Sequence, residues 1–194
     1  MKKLGWYSRG YIPHFDGAET QSITWRLADS YPAELQRKVE AELESLKMNP
    51  YKYGIEKRKR DQHILDLGFG ECHLKNHDLA NMVQDTLLFH EGERFHLHAW
   101  CVMPNHVHVL VTLKPEYPLR KVLQSWRSFS AHEANKMLGR KGSFWFRDPW
   151  DRFIRNQRHF GNARHYIEQN PVTAGLCEKP EEWPYGSAKF RAGE

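Results

Sequence analysis

An α+β domain, with helices packed on an antiparallel sheet in a ferredoxin-like (RRM-like) sandwich, is the fold this sequence predicts. Two strand-like runs, at residues 94–103 and 106–113, flank Pro104-Asn105, whose chemistry suits a tight turn. Segments with helical spacing of apolar residues lie on both sides of that hairpin. The chain of 194 residues is 40% hydrophobic and 27% charged, enough for one sizeable core and too little for two. Residues 1–194 are therefore read as one domain, with an irregular lead-in to about residue 21 and a tail from about residue 177.

The elements follow in order. The glycines and Pro13 of the lead-in sustain no period. Residues 22–28 alternate, with Ile23, Trp25 and Leu27 on one side, and predict a first strand. Ser30, Pro32 and Glu34 open a helix in which Leu35, Val39, Leu43 and Leu46 recur at helical spacing, and Asn49-Pro50 stops it. A basic, glycine-bearing connector is expected to about Gly70, with a short extended piece at 71–74. Asn76 caps a second helix whose buried face carries Leu79, Met82, Val83 and Leu87, and Gly92 ends it. After the hairpin, residues 119–138 form a helix with Val122, Leu123, Trp126, Phe129 and Ser130 on or near one face. An aromatic, arginine-rich loop or hairpin occupies 143–154, and a last helix at 157–170 is ended by Pro171.

Composition narrows the function. The longest apolar stretches fall well short of the ~20 residues of a membrane helix, and the first residues lead into no signal-peptide core, so a cytoplasmic protein with no membrane partner is expected. Cys72, Cys101 and Cys177 are too few and too scattered for a disulfide framework or a zinc finger. The net charge is +5, but residues 119–160 alone carry +7 and the remainder −2. Trp126, Phe129, Phe144, Trp145, Phe146, Trp150 and Phe153 interleave with the cations of that segment. Phosphate-gripping cations beside stacking aromatics suit a nucleic-acid surface, and a helix with a wet cationic face and an aromatic core face gives the same pattern. The run Lys57-Arg58-Lys59-Arg60 reads as a solvated loop, with contact to a nucleic-acid backbone as the alternative.

His106-Val107-His108 sits on a strand, where residues two apart project from one face. Two neutral imidazoles placed so can share a divalent cation. With 12 histidines in the chain, about 0.7 such pairs arise by chance, so spacing alone identifies nothing. A second pair, His96 and His98, is also present. A two-residue turn at Pro104-Asn105 sets Cys101 opposite His108 and sends His96 and His98 to the other face, as ordinary sheet histidines. The last helix offers a nucleophile in Tyr166, with Asn170 one turn on. A phenol with a pKa of ~10 attacks poorly unless a cation assists, and a metal that polarises a phosphate oxygen would do so while tyrosinate displaces a sugar 3′-oxygen. Asn170 could supply an amide oxygen as a hard ligand; alternatively, Tyr166 packs and Asn170 merely ends a helix.

Residues 101–111 (Cys-Val-Met-Pro-Asn-His-Val-His-Val-Leu-Val) resemble the HUH block of the single-tyrosine transposases, and residues 166–176 resemble their tyrosine-helix block. Within that superfamily the REP-associated tyrosine transposases are similar in further blocks: Arg9 to His14, Arg26 to Ser30, Gly70-Glu71-Cys72, Ser125 to Phe129, Asp151 to Arg155 and Trp183 to Ala188. Thr173 stands where that branch usually has lysine, and Asp148-Pro149-Trp150 departs from its common acidic-aromatic sequence. The resemblance implies an HUH nuclease fold and a metal-dependent nuclease and strand transferase that cuts and rejoins single-stranded DNA beside a hairpin-forming repeat, through a 5′-phosphotyrosine. It puts the metal on His106, His108 and Asn170, and the nucleophile on Tyr166. Mg²⁺ or Mn²⁺ is the expected ion. The basic segment then becomes the DNA groove, with Lys121, Trp126, Arg127, Arg147, Arg152 and Arg155 as contacts, in a monomer or homodimer associated with the nucleoid. Two rivals are a non-catalytic DNA- or RNA-binding regulator on the same fold, and a phosphodiesterase of small nucleotides that uses the histidines with water.

Overall fold

The structure is a computed structural model that describes residues 6–8, 13–15 and 19–191. Arg9 to Ile12, which carry part of the first similar block, lie outside the described residues. The lead-in is less irregular than the sequence predicts: β1 (Trp6–Ser8) and β2 (Pro13–Phe15) pair antiparallel. The main sheet is formed by β3 (Thr20–Arg26), β4 (Phe95–Val102), β5 (His106–Leu113) and β6 (Trp150–Phe153), in the order β4-β5-β3-β6 with every neighbour antiparallel. The first strand of this sheet lies between the third and the fourth, as in a ferredoxin-like sandwich.

Alternation along the strands divides the molecule into two layers. On one face, Ile23, Trp25, Trp100, Val102, Val107, Val109 and Val111 pack against α3 (His77–Leu88) and α4 (Leu119–Met137). At roughly 1.5–3 kcal/mol per fully buried large side chain, this is the principal core. Asn76 caps α3 through its side chain, as expected. Trp126, expected to contact DNA, is a core residue here: it is 3% exposed, stacked on Trp25 at 6.0 Å and edge-on to Phe95 at 4.9 Å. Phe129, expected near the buried face, is exposed instead. On the other face, α5 (Gln157–Thr173) drives Ile167 among Ala99, Cys101, Met103 and Leu110.

Three local readings are corrected. Residues 50–66 are a helix, α2 (Pro50–Asp66), that follows α1 (Ala33–Glu42) and a short 3₁₀ turn. Asn49 starts α2 rather than ending α1, its side chain accepting from the Lys52 amide with Pro50 in the first turn. Pairs such as Lys57–Asp61 and Arg60–Glu56 support its charged surface where a strong apolar stripe is lacking. Residues 73–75 form a 3₁₀ turn rather than an extended piece. Pro171 lies inside the last turn of α5, where it removes a single helix hydrogen bond, and the helix runs on to Thr173.

The tail is docked. Its short helix α6 (Ser187–Arg191) and the residues before it cover the open edge of β4: the Val102 amide donates to Tyr185 O at 2.9 Å, and Trp183 Nε1 to Val102 O at 3.1 Å. Two segments singled out by resemblance also meet, since the Glu71 amide donates to Asp29 Oδ2 at 2.8 Å. Gly70, at φ +88°, permits this approach, because a Cβ there would fall 2.9 Å from Asp29 O. No helix among the described residues is long and apolar enough to cross a membrane.

Candidate active site

His106 and His108 project from the α5 side of β5 and are almost fully buried. Cys101 lies opposite His108, and the Met103 amide donates to His106 O at 2.8 Å, the register a turn at Pro104-Asn105 requires. The two Nε2 atoms are 2.9 Å apart. Asn105 orients the first ring: its amide nitrogen donates to the carbonyls of Leu65 and Phe69, so its Oδ1 accepts from His106 Nδ1 at 2.7 Å. That bond leaves Nε2 of His106 with its lone pair free for a ligand. His108 Nδ1 is paired with Thr24 Oγ1 of the adjacent strand at 2.8 Å.

Burial pushes the pKa of His106 down to about 3, while the neighbouring Asn170 side chain opposes the shift. Burial, then His106 and Arg58, hold His108 well below the usual histidine range. Both rings are neutral at physiological pH, the state a metal requires. The consequence for stability has a definite sign. An unfolded histidine binds a proton below pH 6.5 and these folded ones do not, so the histidine contribution is complete above 6.5 and is lost as pH falls, toward about 3 in the case of His106. Urea unfolding of the metal-free protein should show a loss of about 1.4 kcal/mol per pH unit for each ring in that window. Equal midpoints at pH 7 and pH 5 would contradict this.

Tyr166 and Asn170 lie one turn apart on α5, over the histidines. The Tyr166 ring meets that of His108 edge-on at 5.6 Å and is 38% exposed. Burial raises its pKa to about 12, with Asp66 adding to the shift and Asn170 and Arg58 opposing it. The phenol is thus protonated at rest, and an added positive charge would favour its ionisation. Asn170 is 3% exposed, and its Oδ1 has no hydrogen-bond partner. An orphaned buried carbonyl oxygen beside two neutral imidazoles fits a divalent cation. Among the described residues no three histidines, cysteines or carboxylates cluster, and the polar atoms that meet here are two imidazole nitrogens and an amide oxygen.

Two residues of α2, Arg58 and Gln62, complete the wall. Gln62 Nε2 lies 3.5 Å from each histidine Nε2 and donates to Asp66 Oδ1 at 2.7 Å. Arg58, read from sequence as part of a solvated run, has its Cζ 3.5 Å over the Trp150 ring and acts electrostatically on Tyr166. The basic run was the one signal for Arg58, and Gln62, in a segment without an apolar period, carried none.

The expected DNA contacts divide between the two faces. Lys121 is exposed on α4, across the sheet from Tyr166, and Trp126 is in the core of that layer. The Arg127 guanidinium donates to the carbonyls of Phe146 and Arg147 and so fastens the loop to α4 instead of standing free. Arg147 is exposed beside Asp148. Arg152 and Arg155 lie at the Tyr166 end: both act on His159, two turns before the tyrosine on α5. The second histidine pair is also corrected. A bulge between Leu97 and Ala99 shifts the register, so that His96 stands opposite Thr112, and His98 bonds Thr112 Oγ1 at 2.7 Å and packs on Phe160 of α5. These histidines thus fall on the α5 side, held by the fold.

Residues 75–170 match the family described as transposase, IS200 like, a span that contains His106, His108, Tyr166 and Asn170. The chain is similar to a REP-associated tyrosine transposase of Escherichia coli, 30% identical over 93 residues that cover 48% of this chain and 54% of that protein. It is similar also to a candidate REP-associated tyrosine transposase of Haemophilus influenzae, 31% identical over 103 residues that cover 46% of this chain and 56% of that protein. The chain thus spans about half the length of the curated relatives it matches. Among solved structures, a REP-associated tyrosine transposase bound to a REP hairpin superposes with a TM-score of 0.57 at 16% identity, covering 100% of this chain and 87% of that one. At that identity the likeness is one of fold.

Proposed function

We infer from the match of residues 75–170 to the IS200-like transposase family that this chain cuts and rejoins single-stranded DNA beside a hairpin-forming repeat. The observation that carries this reading is Tyr166 lying over two neutral, convergent imidazoles and an orphaned amide oxygen. His106, His108 and Asn170 would hold Mg²⁺ or Mn²⁺, which when bound draws charge from a non-bridging phosphate oxygen. Tyr166 Oη attacks the phosphorus in line and gives up its proton, and the sugar 3′-oxygen leaves and takes one up. The product is a 5′-phosphotyrosine and a free 3′-hydroxyl. Bond energy is kept in the phosphotyrosine, so a second 3′-hydroxyl can reverse the attack and join a new strand.

The role of each neighbour follows from its contacts. Asn105 and Thr24 fix the rings by their Nδ1 atoms. Ile167, fully buried, anchors the turn of α5 that carries Tyr166. Tyr166 lies over the histidines of its own chain, so one copy holds the complete set. Arg152 and Arg155, at the same end of the molecule, would take the DNA backbone.

The test uses purified protein, Mn²⁺ and a labelled single-stranded hairpin repeat from the DNA flanking its own gene, run on a denaturing gel. A denaturant-resistant protein–DNA adduct that disappears with a chelator is expected. Hairpin binding without an adduct would favour a regulator, and an adduct insensitive to chelation would remove the metal from the account.

A further inference from the structure

A guanidinium without a carboxylate stands beside the nucleophile. Arg58 is on α2, one turn before Gln62, and Gln62 reaches both histidine Nε2 atoms. Across the sheet, His108 lies opposite Thr24, which lies opposite Trp150. This row has one facing, because the Thr24 side chain bonds His108; Trp150 and, two residues on, Arg152 share it. Arg58 closes the row from above, its Cζ 3.5 Å from the centre of the Trp150 ring.

The charges around it are one-sided. Among the described residues no carboxylate lies in ion-pair range of Arg58, and the groups that act on it are Tyr166 and Arg152. His159 in turn feels Arg152, Arg155 and Arg58 together. Asp66 acts on Tyr166, but Arg58 itself has no carboxylate partner, and unpaired cations gathered in a partly buried place repel one another and lose hydration, a cost that a bound anion would reduce. The stacked guanidinium keeps its edge free for paired hydrogen bonds, the geometry that suits a phosphate. A cavity of about 530 Å³ adjoins Arg58, lined by Arg58, Gln62, Thr24 and Trp150 and, farther from the tyrosine, by Asp61 and Asp148. Residues 50–66 precede the span that matches the family, so that match assigns Arg58 nothing.

We infer that Arg58, with Arg152, forms the seat for the phosphodiester that Tyr166 attacks. This rests on the reading of the chain as a tyrosine transposase. Arg58 is then a catalytic residue contributed by the helix that walls the site, its guanidinium donating to the non-bridging oxygens of the scissile phosphate.

The test couples the residue to the charge of that phosphate. The cut position is first mapped with the wild-type protein on the hairpin repeat; no adduct there would be a failure of the transposase reading itself. Binding is then measured in a Tyr166→Phe background, with and without Arg58→Gln, on the same DNA carrying either the native phosphate or a neutral methylphosphonate at the mapped position. Arg58→Gln should weaken binding of the native DNA by about 10-fold and that of the methylphosphonate DNA by less than 2-fold. Arg58→Lys, which keeps the charge, should recover part of the loss and guards against misfolding of the glutamine variant. Equal losses on both DNAs, or no loss on either, would overturn the assignment.

Discussion

Tyr166→Phe should abolish the covalent protein–DNA adduct, lowering its yield by at least about 10³-fold, while hairpin binding stays within about 3-fold of wild type. The substitution removes one oxygen from a ring that is 38% exposed, and keeps the edge-on contact with His108. The fold therefore has little to lose, and the reaction loses its only proposed attacking atom. A gel-shift titration beside the denaturing gel separates the two effects. Full cleavage by the phenylalanine variant would instead point to water as the nucleophile, as in a phosphodiesterase.

Removing an imidazole should be nearly as severe. For His106→Ala or His108→Ala the expected loss of adduct is about 10²-fold or more, because each variant takes away one of the two convergent nitrogen atoms, 2.9 Å apart, proposed to hold the metal. His106→Ala also leaves Asn105 Oδ1 without the donor it now has at 2.7 Å, at a cost of about 1–3 kcal/mol, so His106→Gln is the gentler companion. Metal binding has a readout independent of activity. At 100 times its dissociation constant, Mn²⁺ should stabilise the wild-type protein by about 2.7 kcal/mol in urea unfolding, and the histidine variants by much less. Equal stabilisation of all three proteins would place the ion elsewhere.

What could be read from the sequence was what local spacing controls. Alternation in β3 and β5 placed Ile23, Trp25 and the histidine pair on their faces, and the turn at Pro104-Asn105 set Cys101 opposite His108. Tyr166 and Asn170 needed only helical spacing to share a face, although their meeting with the histidines is a matter of packing. Three things depended on long-range structure. The bulge at Leu97–Ala99 reverses the side taken by His96 and His98, and no residue there signals an inserted position. Trp126 and Arg127 lie in a basic, aromatic segment, yet one fills the core against Trp25 and the other secures a loop, uses that composition does not separate from DNA contact. Helix α2 is capped by Asn49 and laced by ion pairs, so its apolar pattern was too weak to reveal it; Gln62 went unnoticed with it, and Arg58 was seen only as part of a basic run.

The most direct measurement is to identify the atom that carries the DNA. The adduct formed by the wild-type protein with Mn²⁺ and the flanking hairpin repeat would be digested with protease and nuclease and the modified peptide sequenced by mass spectrometry. The account predicts a nucleotide joined through its 5′-phosphate to Tyr166, in the peptide that also contains Asn170. A nucleotide on any other residue, or cut DNA with no modified peptide, would contradict it.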